Sequence, residues 1–117
     1  MIYSQLQQEL DNYMDKKVEF TSYYPNMNIF ISNLYKDQLQ EVLKGLDETT
    51  SGSAKSFKLY LDTVIINMQS KIKKYKQSIY FKNENIRDIE NQGYLIPFFI
   101  DETKECYVIL GLIKQEF

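Results

Sequence analysis

Two apolar runs, Tyr94–Ile100 (YLIPFFI) and Tyr107–Ile113 (YVILGLI), separated by Asp101–Glu105 (DETKE), decide how this chain folds. Each run is nearly continuous in apolar side chains, the pattern of a strand covered on both faces, and the charged spacer reads as the turn between them. Immediately upstream, Asn91-Gln92-Gly93 is a short hairpin connection with a glycine available for positive φ. Before it, Ser78 to Glu90 reads as a strand with a polar middle at Lys82–Asn85. These strands, joined by short turns, predict an antiparallel meander. Pro97 lies within it and has no N–H to give a ladder, so its strand is expected to be an edge or to be bulged there.

Working outward from the meander, the apolar period becomes helical. Phe57, Leu61, Val64, Met68, Ile72 and Tyr75 recur in steps of four and three, which predicts a helix from Ser53, as its cap, to about Lys76. Ile31, Leu34, Tyr35, Leu39, Val42 and Leu46 form a second stripe, predicting a helix from about Asn28 that stops at Gly45 and the polar run Asp47–Ser53. Two successive helices with a short connection suggest an antiparallel hairpin. Lys17 to Tyr24 alternates as a strand ended by Pro25. Ser4 with Gln7 three residues on is a capping box, opening a helix over Leu6, Leu10, Tyr13 and Met14 to about Asp15. The expected architecture is a single α+β domain over residues 1–117, with an N-terminal helix at 1–16 and a core at 17–117. The core is an antiparallel sheet of about four strands packed against a helical hairpin.

Composition narrows the chemistry. A chain of 117 residues that is 44% hydrophobic and 26% charged supports one ordinary globular core. There is no histidine, which removes Ser-His-Asp and Cys-His catalysis and the commonest zinc ligand. The one cysteine, Cys106, has no partner for a disulfide or a CxxC site. It reads as a residue packed at a strand start, and the neighbouring Glu105 opposes the thiolate a nucleophile needs. No Walker, GxGxxG or GxSxG motif is present, and no cofactor or metal is expected. The N-terminal residues lack the basic start and apolar stretch of a signal peptide, and no apolar run approaches a membrane span, so a cytoplasmic location is expected.

The formal charge of −2 conceals an uneven distribution. Between Lys55 and Lys82 the bases Lys55, Lys58, Lys71, Lys73, Lys74, Lys76 and Lys82 are opposed only by Asp62. Lys71, Lys73, Lys74, Lys76 and Lys82, with Tyr75 and Tyr80, form a candidate surface for nucleic acid or an acidic partner. Alternatively the lysines of a last turn oppose the helix dipole and keep the surface solvated, since their spacing scatters them around a helix. Glu84, Asp88 and Glu90 share parity and read either as paired carboxylates or as a solvated face. Asp101, Glu102 and Glu105 read as a solvated turn or a hard-cation site without EF-hand spacing.

The stretch Asn85–Gln115, NIRDIENQGYLIPFFIDETKECYVILGLIKQ, resembles the C-terminal meander of the RelE/ParE superfamily of toxin–antitoxin toxins, nearest its HigB-like branch. The upstream order of a strand and a helix pair agrees with that family from about Lys17. The resemblance implies a small bacterial toxin. RelE-like members cut messenger RNA on the ribosome without a metal, and ParE-like members poison DNA gyrase. Carried onto this chain, it makes Arg87 the basic residue before the turn, Tyr94 the tyrosine of the "yR" strand and Lys114 the base closing the last strand. Lys114 or Arg87 would stabilise phosphorane charge, with a tyrosine or lysine assisting proton transfer. A cognate antitoxin is the implied partner, ribosome-bound message or gyrase the implied target, and the N-terminal helix a surface for antitoxin or homodimer contacts. Leu95 stands where the family usually has its second arginine. The alternative is a non-enzymatic acidic binding protein, such as an immunity protein, an antitoxin or a phage-encoded inhibitor.

Overall fold

The computed structural model describes residues 2–23, 28–49 and 52–115. Its sheet is mixed and larger than the four antiparallel strands expected. Seven strands are described: β1 (Thr21–Ser22), β2 (Ile29–Ile31), β3 (Lys76–Gln77), β4 (Ile86–Asn91), β5 (Tyr94–Asp101), β6 (Cys106–Ile109) and β7 (Ile113–Lys114). They run in the order β1-β2-β6-β5-β4-β3, with β7 also on β5. The β4–β5–β6 meander is antiparallel as expected, and the Gln92-Gly93 loop has φ of 53° and 84°, the two positive values that a type I′ hairpin requires.

β2 corrects the sequence reading most. Ile29–Ile31 is not the first turn of a helix but a strand lying parallel to β6, with Ile29 opposite Tyr107 and Ile31 opposite Ile109. The helix α2 (Asn33–Thr49) starts only after Ser32, and it runs through Gly45. Likewise only Thr21–Ser22 of the expected strand 17–24 is paired, and Tyr24 and Pro25 lie outside the described residues. The polar middle Lys82–Asn85 proves to be part of the loop between β3 and β4 and not the centre of one strand.

The helices also differ in their ends. α1 (Ile2–Met14) begins before Ser4, which therefore lies inside it and does not cap it. α3 (Ser53–Ile66) is entered through Gly52 at φ 84°, with no side-chain cap. It ends at Ile66, ten residues before the expected Lys76, because polar side chains take over the carbonyls. Asn67 donates its side-chain amide to Thr63 O at 2.9 Å, and Ser70 donates to Asn67 O at 2.9 Å. A 3-10 helix, Met68–Lys74, continues the path, interrupted by non-helical geometry at Lys71 (φ −124°, ψ 17°).

The sheet is covered on both faces. One face packs Ile29, Ile89, Ile96, Phe98 and Ile109 against Tyr35, Leu39, Phe57, Leu61, Ile65 and Met68 of the hairpin and 3-10 helix. The other packs Ile86, Cys106, Val108, Leu110 and Ile113 against Leu6 of α1 and Phe81 of the β3–β4 loop. The N-terminal helix is thus a third layer. No helix among the described residues is long and apolar enough to cross a membrane.

Pro97 sits in the middle of the sheet, and the register explains how. The β5–β6 pairing puts Phe98 opposite Ile109, whereas the β5–β7 pairing puts Leu95 opposite Ile113, so one extra residue is inserted at Leu110–Leu112. Leu110 N–H donates to Pro97 O at 2.9 Å, which places the proline nitrogen on the same side, facing the Leu110 carbonyl without a proton to offer. Ser32, fully buried, fills the gap: its hydroxyl donates to Leu110 O at 2.7 Å and accepts from Tyr35 N at 2.9 Å as the N-cap of α2. Gln38 of α2 accepts the Leu112 N–H at 2.7 Å.

Candidate functional site

Arg87, Tyr94 and Lys114 fall on the same face of the sheet by register, the face under the helical hairpin. Arg87 pairs with Phe98 on β5, while Tyr94 pairs with Lys114 at the far end of that strand. Four residues of strand separate the two groups, roughly 13 Å along the chain. The Arg87 guanidinium is engaged locally: Nη1 donates to Tyr75 O at 2.9 Å and to Ile72 O at 3.3 Å, tying the end of the 3-10 helix to β4. Tyr94 packs its ring edge-on against Phe57, centroids 5.4 Å apart, and Lys114 is exposed. The structure therefore brings Tyr94 and Lys114 together and places Arg87 apart from them.

The lysines are gathered more than helical spacing suggests. Because α3 ends at Ile66 and the chain passes through a 3-10 helix into β3, Lys71, Lys74 and Lys76 line one groove of about 490 Å³. Val64, Tyr75, Ile79, Asp88 and Glu90 are among its other lining residues. Lys73 and Lys82 lie outside that lining. Ile79 is 76% exposed beside the lysines. β3 is only two residues long and reaches no further along β4 than Asp88, so among the described residues no strand pairs with that edge at Glu90. An open strand edge and three ammonium groups thus occupy one place.

The groove's carboxylates are not equivalent. Asp88 is half-buried, and Oδ2 accepts the Ile79 N–H at 2.9 Å. Burial pushes its carboxyl above the usual range, against the pull of the hydrogen bonds from Ile79 and Ser78. Glu90 is exposed on the same strand, and Glu84 lies in the preceding loop and not on a shared face. No family model, curated protein or solved structure matches the chain. The groove is accordingly read from its own chemistry.

A second concavity lies on the opposite face, where α1 ends short of the sheet's corner. It has a volume of about 500 Å³ and draws on α1 and the segment after it (Tyr13, Lys16, Val18, Phe20), on β2 (Phe30), and on the β5–β6 turn and the start of β6 (Lys104, Cys106). Tyr13 donates its hydroxyl to Asp101 Oδ2 at 2.5 Å, and its oxygen lies 3.2 Å from the Cys106 thiol. Burial, then the Asp101 and Cys106 contacts, push the Tyr13 phenol far above its ordinary value, so it stays protonated. Asp101 also accepts the Lys104 backbone N–H at 3.1 Å, closing the turn in which the sequence offered a possible cation site. Among the described residues no three carboxylate or thiol groups are placed to hold a metal ion. Nothing in the sequence marked this concavity, because it is assembled from three segments of which only Tyr13 and Cys106 stood out, each as a packing residue.

Proposed function

We propose that this chain is a non-enzymatic binding protein that captures an acidic, extended segment of a protein partner in the groove of Lys71, Lys74 and Lys76. The observation that carries the reading is the coincidence of those three lysines with the uncovered edge of β4. An extended segment adding to that edge gains main-chain hydrogen bonds at Glu90, sets alternate side chains toward Val64 and Ile79, and presents carboxylates to the lysines. The surrounding charge favours that sign: three lysines face two carboxylates. Within a toxin–antitoxin or phage-conflict setting, such a partner would be an antitoxin or a target protein.

The test uses a peptide of alternating valine and glutamate, with an alternating valine–lysine peptide as the control. Saturable binding of the acidic peptide, weakened by salt and about tenfold by the combined Lys71→Gln, Lys74→Gln and Lys76→Gln changes, is expected. Equal binding of both peptides, or no loss in the triple variant, overturns the reading.

A RelE/ParE-like, metal-independent ribonuclease is the second reading, favoured by the cross-strand pairing of Tyr94 with Lys114. Against it stands the engagement of the Arg87 guanidinium by two backbone carbonyls. Expression in a bacterial host separates the two. Growth arrest relieved by Lys114→Ala, together with RNA cleavage by the purified chain, would establish the nuclease, and a gyrase poison would arrest growth without cleavage.

A further inference from the structure

The concavity beside α1 has features that packing alone does not call for. Lys17 N donates to Asn12 O at 3.1 Å and Lys16 N to Tyr13 O at 3.3 Å, the paired bonds of a Schellman motif closing α1. Its left-handed position, normally glycine, is Lys16 at φ 56°. A β-carbon is strained there, and the side chain carried at that position belongs to the lining of the concavity. Lys104 lines the concavity as well, with its Nζ 5.4 Å from the centre of the Tyr13 ring. Besides these two cations, Glu19 and Asn28, the lining is apolar. Phe20 meets Tyr13 edge-on at 5.5 Å, Phe30 and Val18 add carbon surface, and Cys106, 5% exposed, lies at the base. Glu19 is the one carboxylate of the lining. The Asp101 carboxylate is turned to Tyr13 and the Lys104 amide.

We propose that this concavity is a binding site for a small monocarboxylate with an apolar body, its carboxylate held between Lys16 and Lys104 and its body against Phe20, Phe30 and Val18. A volume of about 500 Å³ falls within the range of small-molecule sites, and a lining of apolar side chains with a few polar groups is their usual make-up. The site shares no lining residue with the lysine groove, so it stands whether or not the partner reading does.

Octanoate is the probe, with octylamine as the matched cation, titrated into the full chain and followed by amide chemical shifts. Saturable shifts at Phe30 and Cys106 with octanoate, and at least tenfold weaker binding of octylamine, are expected. Lys16→Gly and Lys104→Gln should each weaken octanoate about threefold to fivefold, the size of an exposed charge contact. Lys16→Gly relieves backbone strain, so its loss of affinity cannot come from unfolding. Val18→Trp, a change at a part-exposed residue of the lining, should block the site with the fold intact. No saturable shift, shifts outside the lining, or octanoate affinity unchanged by both lysine variants overturns the proposal.

Discussion

At the scale of single residues, Lys16 and Asp88 are positions where local energy is set against stability. Lys16 occupies the left-handed C′ position of α1, where a β-carbon costs roughly 1 kcal/mol relative to glycine. Lys16→Gly should therefore raise stability by about 1 kcal/mol, read as a shift of the urea midpoint at unchanged slope. Asp88 is the other. Its carboxyl is raised above 3.8 by burial, so the folded chain holds that proton more tightly than the unfolded chain. The associated stability is full below pH 3.8 and is lost as pH rises through the raised value. Asp88→Asn keeps an oxygen for the Ile79 N–H and removes the ionisation. Urea midpoints between pH 3.5 and 7 should then fall less steeply in the variant than in the wild type, the remainder belonging to Glu9, which burial also raises. Identical slopes would assign the effect elsewhere.

Among the elements, the joint of β5, β6 and α2 is held by one hydroxyl standing in for a missing amide proton. Ser32→Ala leaves both the Leu110 carbonyl and the Tyr35 N–H without their partner and should cost about 2–3 kcal/mol. Pro97→Ala returns an N–H facing that carbonyl, so the double variant should recover part of the loss, a coupling that a double-mutant cycle measures directly. The joint also marks where sequence reading stops. Pro97 announced a break in the ladder but not its place, since its own strand is central and in unbroken register with β4 and the extra residue falls in the partner at Leu110–Leu112. Gln92-Gly93 and DETKE announced their turns, because each depends on φ within a few residues. Ile29–Ile31 was not legible as a strand: Ile31, Leu34 and Tyr35 continue one helical stripe, and only the distant Tyr107–Ile109 segment makes three residues extended. The same holds for Met68, Ile72 and Tyr75, whose steps of four and three fit an α-helix as well as the 3-10 path observed. Since that path gathers Lys71, Lys74 and Lys76, the groove was invisible while its residues were in plain sight. Arg87 and Tyr94 were found at their expected places in the meander, but what the guanidinium touches depends on where the 3-10 helix ends.

For the whole molecule, the question is whether α1 is an appendage to a two-layer core or a layer of it. Leu6 is fully buried, and its Cδ2 lies 2.7 Å from where a β-carbon on Gly111 would stand, so the bulge between β6 and β7 is shaped to receive it. Glu9 reaches across to accept the Leu34 N–H at 3.1 Å, joining α1 to the first turn of α2. These contacts link an N-terminal helix to the last strands and to the hairpin, so the three layers should unfold as one unit. Leu6→Ala opens a cavity at the centre of that face and should cost about 2–5 kcal/mol. Cys106 supplies an independent reporter, being a free thiol buried beneath the same layer beside Tyr13. In the wild type, with Cys106 only 5% exposed at the concavity, its reaction with a thiol reagent too large to enter that concavity should be slow and should track global unfolding across a urea series. In Leu6→Ala the rate should rise by the same free energy as the loss of global stability, because one opening exposes both. A Cys106 rate that rises while the urea midpoint stays fixed would mean that α1 detaches on its own, and that the sheet and hairpin hold together without it.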